Sequence, residues 1–273
     1  PNQWDKQHQN IRPFNGRVHR RIQGDGARIG IIDTGIDLDH PDLKGNVNED
    51  LSENFTGDGG DANDVGYHGT HVAGIAAAED GGGGVVGVAP DAELVALRVF
   101  GGEGGASFAD IFAALTYAAD VGCDVANLSL GYAALPIGEG EPSDVFTSPA
   151  GNPIPTTPKG GEGGWDFLKF LSSRAGKYAG NNGCLPVAAA GNDGLNLDHA
   201  PGPSTYTEGH QYQYTWGSLP AEAAGFMSVS ATGPFGFLPS EGLGSETLPP
   251  TRPAAYTNYG ASAVDVSAAG GSG

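Results

Sequence analysis

Short apolar runs that stop abruptly at small or polar residues alternate along this chain with segments whose apolar positions recur at helical spacing. Ala27–Ile32 is the first such run, and it ends in Asp33-Thr34-Gly35. Ala92–Phe100 is the second and ends in Gly101-Gly102-Glu103-Gly104-Gly105. Ser107-Phe108-Ala109-Asp110 then has capping-box spacing, and Phe108, Ile111, Phe112, Leu115 and Ala119 predict a helix that Gly122 stops. Val125–Leu130 predicts the next strand. Residues 131–164 hold glycine, proline and short polar residues without sustained periodicity, which predicts a long loop insertion. Leu168, Leu171, Ala175 and Tyr178 predict a further helix, Leu185–Ala190 a strand closed by Gly191-Asn192, and Phe226–Ala231 another strand. Asp193–Pro220 and Gly233–Pro253 read as loops. Alternating strands and helices predict an α/β fold of mainly parallel strands joined by right-handed crossovers. Ligands in such folds bind beyond the carboxyl ends of the strands, where Asp33, Gly101, Gly131 and Asn192 fall.

At 273 residues the chain is expected to close a single domain, 1–273, burying about three-quarters of its unfolded surface. No apolar stretch reaches the roughly 18 residues that a membrane span requires, and Pro1–Asn10 is too polar for the core of a signal peptide. Thirty-two acidic residues against 13 basic ones leave a formal charge of −19, which argues against nucleic acid as a partner. Lysine is scarce (Lys6, Lys44, Lys159, Lys169 and Lys177), and so acidic a surface suits a salt-adapted protein in which screening weakens self-repulsion. An acidic secreted protein with ordinary salt needs fits the same composition. Cys123 and Cys184 each precede a predicted strand; a single bridge and two buried free thiols are both open.

Three motifs carry chemistry: Ile31-Ile32-Asp33-Thr34-Gly35-Ile36-Asp37, His68-Gly69-Thr70-His71-Val72-Ala73-Gly74 and Ala189-Ala190-Gly191-Asn192. A carboxylate at a strand end, an imidazole at a helix start and an amide at another strand end are the supporting groups of acyl transfer. In order and spacing, from about Gly24 to Gly270, the motifs resemble the subtilisin-like serine peptidases. The resemblance implies a three-layer fold with helices on both faces of the sheet. It makes Asp33 the triad carboxylate, His68 the general base and acid, and Asn192 an oxyanion donor, with His71 structural. Gly69, Ala73, Gly74 and Ala76–Ala78 would let the His68 helix lie close against its neighbours. Taken singly, Asp33 and Asn192 are also ordinary turn residues.

The same resemblance makes Gly101, Gly102 and Gly104 one side of a substrate cleft and Ser129, Leu130 and Gly131 the other, with an extended peptide pairing between them. Asp42 matches a carboxylate ligand of a structural calcium ion, although Glu79-Asp80-Gly81-Gly82-Gly83-Gly84 departs from the family's loop. No cofactor is implied for catalysis, and Ser107 breaks a dinucleotide fingerprint at its third glycine. The family's nucleophile sits in a Gly-Thr-Ser segment, which nothing here matches; Ser272 lacks the threonine and is not assigned. The expectation is therefore a secreted, monomeric serine endopeptidase acting on protein or peptide substrates and assisted in folding by a propeptide. Its nucleophilic serine would lie beyond Gly273, leaving residues 1–273 inactive alone. A non-catalytic peptide-binding module on the same scaffold is the alternative. Other α/β hydrolases place the nucleophile before the acid and base, which argues against them.

Overall fold

The structure is a computed structural model that describes residues 18–19, 21–81, 84–102, 105–137, 146–147, 153–154, 161–198, 205–207, 210–212, 215–233 and 252–270. Gly104, Ser272, Pro1–Asn10 and most of the 233–253 stretch lie outside the described residues. In chain order the elements begin with β1 (Arg28–Asp33), β2 (Glu53–Asn54), α1 (His68–Ala77), β3 (Glu93–Arg98), α2 (Phe108–Asp120) and β4 (Val125–Leu128). They continue with β5 (Tyr132–Ile137), β6 (Phe146–Thr147), β7 (Pro153–Ile154), α3 (Gly161–Asn181) and β8 (Leu185–Ala189). The last are β9 (Thr205–Thr207), β10 (His210–Tyr212), β11 (Thr215–Leu219), β12 (Met227–Gly233), β13 (Arg252–Pro253) and β14 (Val266–Ala269). The fold is α/β with mainly parallel strands, as the alternation predicts. The chain forms two compact units, residues 1–129 with 175–187, and residues 130–174 with 188–273.

In the first unit β1 lies between β3 and β4 and is parallel to both, with Arg28 opposite Glu93 and Ile29 opposite Val125. β3 also pairs in parallel with β2. Near-continuous apolar strands are what burial on both faces requires, and Ile31, Ile32, Leu94, Val95, Ala96 and Leu97 are all buried. Ala73, Ala77 and Ala78 of the α1 segment join that core. A Cβ at Gly69 would stand 2.0 Å from the Gly35 carbonyl oxygen, so only glycine lets α1 reach β1 so closely. Gly74, by contrast, faces open space and is not a packing glycine. α2 begins as its capping box predicts, the Ser107 hydroxyl accepting the Asp110 N–H at 3.0 Å, and ends at Gly122, whose φ of +76° few other residues adopt.

The second unit is built around β12, which pairs in parallel with β14 (Val229 opposite Val266) and antiparallel with β13. The expected insertion is more structured than its composition suggests. β5 pairs antiparallel with β11, Thr215 opposite Ile137, and β6 pairs with β7. Tyr132–Ile137 shows no polar alternation, so its strand character depends on a partner some 80 residues later, which periodicity does not register.

Cys123 and Cys184 are both free and buried in the first unit. Burial pushes the Cys123 thiol up to about 12 and the Cys184 thiol up to about 11, which keeps both protonated and poorly nucleophilic. A thiol reagent at pH 8 is therefore expected to label neither cysteine in the native protein and both in denaturant without reductant. A failure to label either in denaturant would mean that they are bridged.

Candidate active site

β1 delivers Asp33 to the carboxyl edge of the parallel strands with its side chain 0% exposed. The chain must then turn at once. Gly35 does so with φ +105°, at a point where a Cβ would lie 2.6 Å from the Ala62 and Asn63 carbonyl oxygens. Asp33 Oδ1 accepts the Thr34 N–H at 2.7 Å and faces His68 Nδ1 at 2.7 Å. A carboxylate only accepts, so Nδ1 carries the proton and Nε2 is left with the lone pair, on a ring that is 49% exposed. Asp33 Oδ2 is buried without a hydrogen-bond partner. Burial raises the Asp33 carboxyl above its ordinary range, opposed by the His68 and Thr34 hydrogen bonds. His71, one turn along α1, is exposed, and the imidazole paired with the buried acid is that of His68.

Asp64, which no sequence motif singled out, bridges the two halves of this pair. Its Oδ1 accepts the Thr34 hydroxyl and the Gly66 N–H, both at 2.8 Å. Its Oδ2 accepts the Thr70 N–H at 2.9 Å and the Thr70 hydroxyl. Thr34 Oγ1 in turn accepts the Gly69 N–H at 2.9 Å. Two orphan amides at the start of α1 are thus capped by residues tied to the end of β1, which fixes His68 against Asp33. Burial opposes charge on Asp64, yet the bonds from Thr70, Gly66 and Thr34 prevail and hold its carboxyl below the usual range. A carboxylate four residues ahead of a helix-starting histidine was the available signal.

Gly101 and Gly102 follow β3, whose continuation Val99 donates its N–H to the Asp33 carbonyl at 2.9 Å. That segment therefore leaves the same strand edge as Asp33, and nothing lies within 4 Å of a Cβ built at either glycine. Ser129 Oγ is bound by Asn127 Nδ2 at 3.0 Å. Leu130, Gly131 and Asn192 belong to the second unit. Leu130 is buried, Gly131 lies where a Cβ would approach the Leu219 carbonyl oxygen at 2.8 Å, and Asn192 is exposed.

The loop bearing Asn192 is held by Asn258, which sequence reasoning also missed. Fully buried, Asn258 accepts the Asp193 and Leu195 N–H groups, each at 3.0 Å, and donates to the Ala190 carbonyl at 2.9 Å. Its own N–H reaches the Gly191 carbonyl at 3.0 Å. Asp42, the residue that the resemblance assigns to calcium, is buried, and its Oδ2 accepts the Val85 N–H at 3.2 Å. Calcium takes six to eight oxygens. Among the described residues no group of three or more His, Cys, Asp and Glu side chains is placed to hold a metal ion. Backbone and amide carbonyl oxygens also serve calcium, so Asp42 stays the ligand that the resemblance implies, and calcium enters no step below.

Residues 24–273 match the sequence profile of the subtilase family. Over 177 residues the chain is 36% identical to a thermophilic serine proteinase of Bacillus sp. (strain AK1), covering 64% of this chain and 35% of that protein. Over 178 residues it is 37% identical to the major intracellular serine protease of Bacillus subtilis (strain 168), covering 63% and 45%. The chain thus spans less than half the length of either curated relative. A crystal structure of an epidermin leader-peptide-processing serine protease mutant from Staphylococcus aureus matches with a TM-score of 0.67. At 24% identity, over 99% of this chain and 58% of that one, this likeness shows the fold.

Two outcomes follow from the buried polar groups. A carboxyl whose folded-state pKa is raised favours the fold below its unfolded value, 3.8, and loses that contribution as the pH rises through the raised value. Asp33→Asn is therefore expected to gain melting temperature over the parent at pH 7 and to gain less at pH 4. An equal or opposite difference at the two pH values would refute the burial argument. Asn258→Ala leaves three buried backbone groups without their partner and is expected to cost about 2–4 kcal/mol in denaturant unfolding.

Proposed function

The chain belongs to the subtilase family, and we propose that it carries the acid and base of a serine endopeptidase. One observation carries this reading: the fully buried Asp33 carboxylate bound to His68 Nδ1 at 2.7 Å, which leaves Nε2 basic on a half-exposed ring. The nucleophile is a serine outside residues 1–273. His68 Nε2 removes the proton from that hydroxyl as its oxygen attacks the scissile carbonyl, and Asp33 stabilises the imidazolium without taking the proton. His68 then returns the proton to the leaving amine, and water repeats the sequence to release the acyl group. Asn192 donates its side-chain amide to the oxyanion. Such a donor is worth roughly 100- to 1,000-fold in rate, a magnitude known from a subtilisin itself.

The substrate is a protein or peptide in extended form, pairing its main chain with Gly101 and Gly102 on one side and with Ser129, Leu130 and Gly131 on the other. Glycines suit that role because the substrate backbone can approach them closely. An export destination is proposed on the peptidase reading itself, and the acidic composition, 32 acidic against 13 basic residues, bears on salt tolerance. Among the described residues no helix is long and apolar enough to cross a membrane.

The test is to express the protein with the sequence that follows Gly273 and to treat it with a fluorophosphonate serine probe in high salt. A serine beyond residue 273 is expected to label. His68→Ala is expected to abolish labelling, while His71→Ala preserves it, and Asn192→Ala is expected to lower kcat against a peptide by about 100-fold or more. No labelling of the parent would sink the peptidase reading and leave a peptide-binding scaffold.

A further inference from the structure

Among the described residues Tyr67 is the only non-glycine residue with a positive φ, at +61°. It immediately precedes His68 as the N-cap of α1, yet its side chain makes no capping hydrogen bond. The residue is 85% exposed. The left-handed region is unfavourable for a residue with a Cβ, and such strain persists only where the surroundings over-determine the backbone. They do so here. Asp64 Oδ1 holds the Gly66 N–H at 2.8 Å and Asp64 Oδ2 holds the Thr70 N–H at 2.9 Å. The Val65 N–H reaches the Thr34 carbonyl at 3.2 Å, and the Tyr67 carbonyl accepts the His71 N–H at 3.1 Å. The backbone on both sides of Tyr67 is pinned, which fixes the point from which its aromatic side chain projects into solvent. Two residues earlier, Val65 is also exposed. Neither apolar side chain serves the core of its unit.

We propose that Tyr67, with Val65 behind it, is a specificity-determining wall of the cleft that favours a bulky apolar or aromatic side chain next to the scissile bond. The inference rests on the peptidase reading above. A peptide bond whose leaving nitrogen is protonated by His68 Nε2 must lie within hydrogen-bond reach of that atom. Consecutive Cα atoms are about 3.8 Å apart, so Tyr67 stands on the loop directly bordering the residue that meets that bond. An exposed ring in that place offers a face for an apolar side chain to cover, and the pinned loop means that little backbone freedom is lost when it does. Discrimination by a single apolar contact of this kind amounts to roughly tenfold or more in kcat/KM.

The test uses the active protein with its downstream sequence and a series of fluorogenic peptides that differ only in the residues flanking the cleaved bond, carrying Ala, Leu, Phe or Asp. Glycine adopts φ +61° without strain, so Tyr67→Gly removes the ring while keeping the loop, and its melting temperature is expected to equal or exceed the parent's. The parent is expected to prefer Phe and Leu over Ala. Tyr67→Gly is expected to shrink that kcat/KM ratio about tenfold, and Tyr67→Phe to retain it. A uniform fall across all peptides with the ratio intact would overturn the proposal in favour of a role in placing His68. An unchanged ratio overturns it as well. A parent that labels with the fluorophosphonate probe but shows an unaltered ratio in Tyr67→Gly defeats this inference alone; a parent that neither labels nor cleaves defeats the peptidase reading and this inference together.

Discussion

A carboxylate with no exposure to water, placed at the end of a central parallel strand, is the constraint around which the first unit is arranged. Ionised, Asp33 is costly to bury. The structure meets that cost with two short contacts to one oxygen, from the Thr34 amide and the His68 imidazole, and leaves the other oxygen unpaired. The raised carboxyl pKa is the residue of that cost. It also binds two elements together, since His68 opens α1 while Asp33 closes β1. For the imidazole to arrive, the helix must come close enough that Gly69 has no room for a side chain against the Gly35 carbonyl. Stability is given up at Asp33 and regained in the apolar packing of Ala73, Ala77, Leu94 and Ala96 beneath it.

How much of this was legible in the sequence depends on the distance over which each signal acts. Apolar runs that end in Asp33 and Asn192, the Ser107 cap and the Gly122 stop are local, and each is found where the pattern puts it. Asp33 and His68 are brought together by strand and helix geometry that their motifs already encode. The pairing of β5 with β11 is not local, because neither segment alternates and each becomes a strand through the other. The state of the two cysteines was open for a similar reason: a bridge and two buried thiols predict the same residue types ahead of the same strands, and side-chain geometry decides between them.

The polar residues that went unnoticed share a physical role. Asp64 and Asn258 each satisfy backbone groups that lie outside the helix and sheet ladders. Asp64 serves the Gly66 and Thr70 amides, and Asn258 serves Asp193, Leu195 and Ala190. Helix and sheet ladders cannot supply these bonds because the loops have left them, and burial denies them water. Single-sequence reading finds such residues poorly, since an aspartate or asparagine in a loop looks the same whether it bonds solvent or three amides. Asn54 shows the ambiguity well. Its amide donates to Asp58 and to the Gly60 carbonyl while its oxygen accepts from Thr56.

Rigid polar hubs also explain how loops can carry chemistry that needs tight placement. Loops ordinarily have more freedom than the elements they join, and catalysis suffers when a general base strays by even an ångström. Here the loop from Asn63 to Tyr67 is held at both ends by Thr34, Asp64 and the first turn of α1. That rigidity is what permits Tyr67 to hold a conformation its own side chain disfavours. In a loose loop the strain would relax by rotation of the backbone, and the point where the ring leaves the chain beside His68 would move with it. The same hydrogen bonds that orient His68 therefore determine what surface stands next to it.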